Sequence, residues 1–244
     1  MAGIFDTVAS DLFVPYTVRL RFRDRVVGGT PSNPKLIEGW LRAKMGVTQE
    51  QEVRNLTIQT LRDLGVSDEV FENPEDITFE TLEAASEAIA SKSNTTMFKR
   101  DANGLYIESR IVKAMLKECV AIVFPGGTGG NKWGDTKKGP KNATAEWVFV
   151  NPDHIALGVT APTGVDLSIG HISGPQGPRS TLDYYEYVEQ AEVTFEVVVL
   201  QDRVDQKHWP SIWRYAQENG LGAKRSQGFG RFDVLAWDRR NGTG

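Results

Sequence analysis

The residues best suited to chemistry lie together in Gly220-Leu221-Gly222-Ala223-Lys224-Arg225-Ser226-Gln227-Gly228-Phe229-Gly230-Arg231-Phe232. Four glycines surround the adjacent cations Lys224 and Arg225, with Arg231 just beyond. Glycine tolerates positive φ and close backbone approach, so such a loop can present N–H groups to the oxygens of an anion. The chemistry this favours is phosphate contact: backbone donors supply direction and the cations supply salt-dependent attraction. Gly222, Gly228 and Gly230 are the backbone candidates; Lys224, Arg225 and Arg231 are the charged ones.

Histidine and cysteine chemistry is scarce. The 244-residue chain has one cysteine, Cys119, which excludes an internal disulfide and a cysteine-based zinc site. Its apolar helical surroundings make it a core thiol. Of the three histidines, His171 sits in a stretch read as irregular, Gly170–Gly177, and is the best candidate for a general base. His154 reads as a turn residue and His208 as a surface or capping residue. Asp135 and Asp166 form no recognisable metal-binding set. No catalytic residue beyond the weak candidate His171, no metal and no cofactor are expected.

Charge alone does not decide the partner. The formal net charge of −4 argues against a simple nucleic-acid coat. The charges are unevenly spread, however: acidic residues crowd Glu50 to Glu87, and basic ones crowd Arg19 to Arg25, Lys132 to Lys141 and Lys224 to Arg231. No apolar run approaches the roughly 18 residues of a membrane span, and the N-terminus lacks a signal pattern. The expectation is a cytoplasmic protein with no membrane partner.

The elements that position these residues follow from periodicity. From Tyr16, Val18, Leu20 and Phe22 alternate with Thr17, Arg19, Arg21 and Arg23, a strand with one buried and one cationic face. Gly28-Gly29 breaks it. Asn33-Pro34 opens a helix with the stripe Leu36, Ile37, Trp40, Leu41 and Met45. Thr48 with Gln51 opens a second, striped by Val53, Leu56 and Leu61, and a third spans about 77–91. These form a helical insertion at about 33–92. Thr95 to Ile107 reads as extended around Asn103-Gly104. A helix runs from Ser109 through Glu118, carrying Ile111, Met115, Leu116 and Cys119 inward, and Val120–Phe124 reads as a buried strand.

Residues 125–142 read as a long glycine-rich loop with Lys132, Trp133, Lys137 and Lys138. It is not a P-loop, because Lys132 lies between Asn131 and Trp133 and no Gly-Lys-Ser/Thr opens a helix. Strands are expected at 146–150 and 155–159, an irregular segment at 160–183, and a strand at 191–200. A helix at 211–218, the glycine loop and a strand at 229–237 complete the chain. The order indicates an α+β fold, best matched by a ferredoxin-like (RRM-like) antiparallel sheet, single or duplicated, with a helical insertion and long glycine-rich loops.

Three segments resemble the RAMP superfamily, the repeat-associated mysterious proteins that form subunits of CRISPR effector complexes. The loop Gly222–Phe232 is similar to the family's C-terminal glycine-rich loop, down to Gly228-Phe229-Gly230. Leu105–Leu116 resembles its strand-turn-helix motif, and Tyr187–Val197 its turn into a strand. The resemblance implies a single RAMP-like domain over 1–244 with a thumb-like loop at 125–142. It implies sequence-independent binding of single-stranded RNA, guide-like or other, in a ribonucleoprotein serving antiviral defence or in a stand-alone relative. Copies of the chain or related subunits would stack side by side as homo-oligomer or complex. Lys113 would reach phosphate from its helix, Lys224 and Arg225 from the loop, and Arg19, Arg21 or Arg23 from the sheet; Trp133 or Phe229 could stack a base. Two alternatives stay open: an RNA-processing endoribonuclease of the same superfamily, and a self-assembling structural protein without nucleic acid. The family's cutting members often carry an Asp after the first strand, where this chain has Gly28-Gly29-Thr30-Pro31-Ser32-Asn33.

Overall fold

The structure, a computed structural model, describes residues 12–31, 37, 50–63, 95–124, 140–174, 177–201 and 206–240. In chain order these form β1 (Phe13–Phe22), β2 (Arg25–Val27), β3 (Thr30–Pro31), α1 (Glu50–Asp63), β4 (Thr95–Met97), β5 (Lys99–Asp101) and β6 (Gly104–Glu108). They continue with α2 (Ser109–Val123), α3 (Pro140–Trp147), β7 (Val148–Asn151), β8 (His154–Ala156), β9 (Gly164–Gly174), β10 (Gly177–Glu189), β11 (Glu192–Leu200), α4 (Trp209–Asn219) and β12 (Phe232–Arg239). The chain divides into two compact units, one of Met1–Val26, Ile107–Gly158 and Glu189–Gly244, the other of Val27–Tyr106 and Val159–Val188.

The first unit is built on a four-stranded antiparallel sheet in the order β12-β1-β11-β7. The strands and the two long helices succeed one another as β1–α2–β7–β11–α4–β12, a β-α-β-β-α-β sequence with α3 added before β7. The alternation in β1 buries Val14, Tyr16, Val18, Leu20 and Phe22, and β11 buries Val193, Phe195, Val197 and Val199 on the same side. Helices α2 and α4 pack on each other and contribute Val112, Met115, Leu116, Cys119 and Val120 from one, Trp209, Ile212, Trp213 and Ala216 from the other. Each fully buried Leu, Val or Phe removes enough apolar surface from water to stabilise by about 1.5–3 kcal/mol. Trp237 stacks on Tyr16 with ring centroids 4.2 Å apart and lies 4.7 Å from Trp209, tying β12 to β1 and α4.

Cys119 is fully buried in this core, and burial, reinforced by the field of Glu118, pushes its thiol from its ordinary 9.0 to about 12. The proton therefore favours the folded state: that contribution is fully present below pH 9.0 and is lost as pH rises through about 12. At pH 8.5, iodoacetamide is expected to alkylate Cys119 only after denaturation. Rapid labelling of the folded protein would contradict this placement.

In the second unit, β9 and β10 form a long hairpin whose register runs from Gly174↔Gly177 to Gly164↔Tyr187. β10 pairs in parallel with β4, and β4 in turn pairs antiparallel with β3. β5 and β6 form the hairpin expected at Asn103-Gly104, with the Asn103 N–H donating to Asp101 Oδ1 at 2.7 Å. A Cβ on Gly28 would sit 2.4 Å from the Met97 carbonyl carbon, so the glycine pair after β2 serves a close backbone crossing.

Several expectations are corrected. Val120–Phe124 is not a strand: α2 continues through Val123, because Val120 falls one turn after Leu116 on the buried stripe. A short apolar run cannot be told from a buried helix by periodicity. Residues 160–183 are not irregular but lie largely in the β9–β10 hairpin, whose glycines thin the alternation; at Gly164 the Tyr187 side chain lies over the space a Cβ would take. Glu146 and Trp147 end α3 rather than opening a strand, and the last strand begins at Phe232, leaving Phe229 half-buried in the loop. Of the helical insertion, α1 is present with Leu61 buried, and Ile37 is buried; the third helix and most of the first lie outside the described residues.

Candidate nucleic-acid interface

The glycine loop is built by backbone packing between its two arms. α4 ends at Gly220 (φ 81°), whose N–H donates to Ala216 O at 2.9 Å. The buried Leu221 donates to Gly230 O at 2.8 Å, and Gly230 donates to Arg25 O at 2.8 Å. A Cβ on Gly230 would lie 2.0 Å from Leu221 O, a distance no side chain can occupy. Glycine is needed there because main chain meets main chain.

Between the arms the backbone turns twice. Lys224 is left-handed (φ 54°, ψ 29°) and leads into a 3₁₀ turn, Arg225–Gln227, closed by left-handed Gly228 (φ 92°). The N–H groups of Gln227 and Gly228 donate within that turn at 2.9 Å each. Those of Gly222, Ala223, Arg225 and Ser226 donate to no backbone carbonyl among the described residues. A left-handed residue followed by a right-handed one turns successive N–H groups toward one side, the geometry of an anion nest. For lysine the left-handed state costs about 1–2 kcal/mol. The sequence reading assigned positive φ to glycines and missed Lys224, since nothing in its residue type signals it.

The cations are less free than their spacing indicated. Arg225 Nη1 pairs with Glu118 Oε2 of α2 at 2.8 Å. Arg19 and Arg21 do lie on the exposed side of β1, and Arg23, just past its end, is exposed as well. Arg21 nevertheless pairs with Glu192 at 2.7 Å, and Arg23 bridges Glu218 and Asp233 at 2.9 Å each. These bonds, Glu218 first, raise the Arg23 guanidinium further, and Arg23 in turn lowers the Glu218 carboxyl. The expected cationic face is thus a charge-compensated one, although Arg19 and Arg231 are exposed and make no ion pair among the described residues. Exposed pairs are worth about 0–1 kcal/mol each, which is little to hold a guanidinium against a competing anion. An arriving phosphate can therefore exchange for a carboxylate.

Lys113 is half-buried on α2, its Nζ 4.9 Å from the centre of the Phe149 ring. Burial, then the neighbouring Lys117, lowers its pKa. Glu118, which holds Arg225, lies five residues on, about 7.5 Å along the axis and about 140° around α2. Lys113 and Arg225 consequently address different sides of the helix.

Lys132, Trp133, Lys137 and Lys138 lie outside the described residues. His171 is corrected: its backbone stands in the β9–β10 ladder opposite Ser180, not in an irregular loop. His154 opens β8, and His208 packs edge-on against Phe124 with centroids 4.6 Å apart.

No protein-family model matches the chain. No curated protein matches it in sequence. Among solved structures it is similar to the cryo-EM structure of the Type III-B Cmr-beta bound to cognate target RNA, at 12% identity and a TM-score of 0.43 over 96% of this chain. It spans 63% of the length of that chain. It is also similar to the crystal structure of Cmr6 from Pyrococcus furiosus, at 14% identity and a TM-score of 0.31, covering 91% of this chain and 99% of that one. Among the described residues, no helix is long and apolar enough to cross a membrane.

Proposed function

We propose that this chain is a RAMP-like RNA-binding subunit that holds single-stranded RNA by its sugar-phosphate backbone without reading sequence. Its first unit is read as a ferredoxin-like (RRM-like) domain, a reading supported by the β-α-β-β-α-β succession around the sheet β12-β1-β11-β7. The second unit elaborates the same RAMP-like domain. The partners are RNA and copies of the chain or related subunits, assembled as in a CRISPR-type ribonucleoprotein. The observation that carries the reading is the anion nest at Lys224–Arg225, held open by the Leu221–Gly230 backbone contact and flanked by cations. The proposal concerns holding RNA; its RNA-cutting alternative keeps His171 as base candidate, with its backbone opposite Ser180 in the β9–β10 ladder.

The test separates charge from backbone shape. Lys224→Gly preserves the left-handed conformation while removing the ammonium, and Arg225→Gln removes the guanidinium. The double variant is expected to bind fluorescein-labelled oligouridylate more weakly, with the slope of log affinity against log salt shrinking by roughly 0.7 per lost phosphate contact on a single strand. Equal affinity and slope in a folded double variant would remove the reading. Particles that keep their size after ribonuclease treatment in high salt would favour assembly without nucleic acid.

A further inference from the structure

A second feature of the first unit lies away from the glycine loop. The register sets Phe13 opposite Leu200, Pro15 opposite Val198, and Val198 opposite Phe149, so Phe13 and Phe149 share the side of the sheet opposite the buried face. Their rings meet edge to face, 5.9 Å apart at 85°. Both remain open, Phe13 at 39% and Phe149 at 40%, beside Leu12 at 49%. Isolated exposed apolar residues need no explanation, but these rings touch each other and carry an ammonium: Lys113 reaches around the edge strand β7 to lie over the Phe149 ring.

The charge around the rings says what they accept. Lys113 and Lys117 lie close enough on α2 for one to depress the other's protonation, and neither makes an ion pair among the described residues. By contrast Arg21, Arg23, Arg25, Arg225 and Arg240 are each held by a carboxylate. The Lys113 ammonium over one ring and the Lys117 ammonium one turn further along α2 disfavour a purely apolar partner. They suit a ligand that joins a flat π-surface to anionic groups on either side, which is a nucleotide in a single strand.

We propose that Phe149 and Phe13, with Lys113 over the Phe149 ring, form a stacking platform that seats one unpaired nucleobase and holds a flanking phosphate. This rests on the RNA-binding reading above and adds a base-contacting point at the β7 edge of the sheet. Phe149 offers the face that Lys113 now covers, and Phe13 packs against its ring at nearly a right angle. Lys113 leaves the ring for a phosphate once a base covers it, exchanging a cation–π contact for a charge-assisted bond.

The test uses the full chain with octauridylate and with inorganic polyphosphate, which carries charge but no base. Phe149→Ala is expected to weaken octauridylate binding about tenfold, Phe149→Tyr to restore it to within about twofold, and Phe149→Leu not to restore it. Polyphosphate binding is expected to be equal in all four proteins. Octauridylate bearing 5-bromouridine should photocrosslink within Val148–Asn151. If wild-type protein binds octauridylate and every Phe149 variant binds it equally, the platform is wrong and the RNA reading stands. If wild type binds neither probe, both fail. An equal loss on polyphosphate, or a fall in particle mass of Phe149→Ala without RNA, overturns the platform in favour of a structural or subunit-contact role.

Discussion

Gly230→Ala is expected to destabilise the protein by about 3 kcal/mol or more and to abolish RNA binding with it. Two costs add. The residue sits at φ 75°, where any side chain is strained by about 1–2 kcal/mol. Its Cβ would also stand 2.0 Å from Leu221 O and 3.0 Å from the Leu221 carbonyl carbon, both main-chain atoms that cannot rotate away. Overpacking of that kind costs typically 1–3 kcal/mol, and relieving it breaks the Leu221–Gly230 and Gly230–Arg25 hydrogen bonds that hold the arms of the loop. Gly228→Ala is the internal control. Its φ of 92° is equally unfavourable, but nothing lies within 4 Å of the added Cβ, so only the conformational cost of about 1–2 kcal/mol remains. Urea unfolding of the two variants decides the matter. Equal midpoints would mean that the close approach of the two arms is not what the glycine serves.

The second large effect is expected at Glu186, in the second unit. Its carboxylate is nearly inaccessible, accepts the Phe98 N–H at 2.9 Å and binds Arg100 Nη2 at 2.5 Å. Arg100 Nη1 in turn donates to Phe98 O at 2.9 Å, so one ion pair closes the bend between β4 and β5. Glu186→Ala leaves a buried N–H without its acceptor and takes away the carboxylate that Arg100 binds. Removing one partner from a buried pair costs about 3–5 kcal/mol; the partial exposure of Arg100, 23%, places the expectation at the low end, about 3 kcal/mol. Glu192→Ala, which breaks the exposed Arg21 pair, should cost less than about 1 kcal/mol. A Glu186→Leu, Arg100→Met double variant is expected to recover much of the loss, since apolar replacement of a buried pair is often neutral. Thermal unfolding of the four proteins measures this. A loss at Glu186 no larger than at Glu192 would show that the pair is screened by water.

These effects divide sharply by how far along the chain their causes lie. The glycine loop was legible because its demands are local: α4 must stop, the backbone must turn, and Gly220, Gly228 and Gly230 stand where it does. The β1 alternation was legible because Val18, Leu20 and Phe22 repeat every second residue over a length no loop would sustain. The same local reading failed at Val120–Phe124, where five apolar residues carry no period of their own and take their state from the helix before them. It failed again at β9, where glycines interrupt an alternation that pairing with β10 completes.

Residue order by itself determined the α+β class, the buried face of β1, the Asn103-Gly104 hairpin, the stripe of α2 and the loop that offers N–H groups to an anion. Each of these depends on residues within a turn or two of one another. Only the tertiary structure decided that Arg21 meets Glu192, 171 residues away, and that Arg225 meets Glu118 across 107. It alone set Lys224 left-handed and brought Phe13 to Phe149. The physical reason is that composition and period give the sign of each residue's preference, whereas strand order and register choose its neighbour. A cation's availability to phosphate depends on that neighbour.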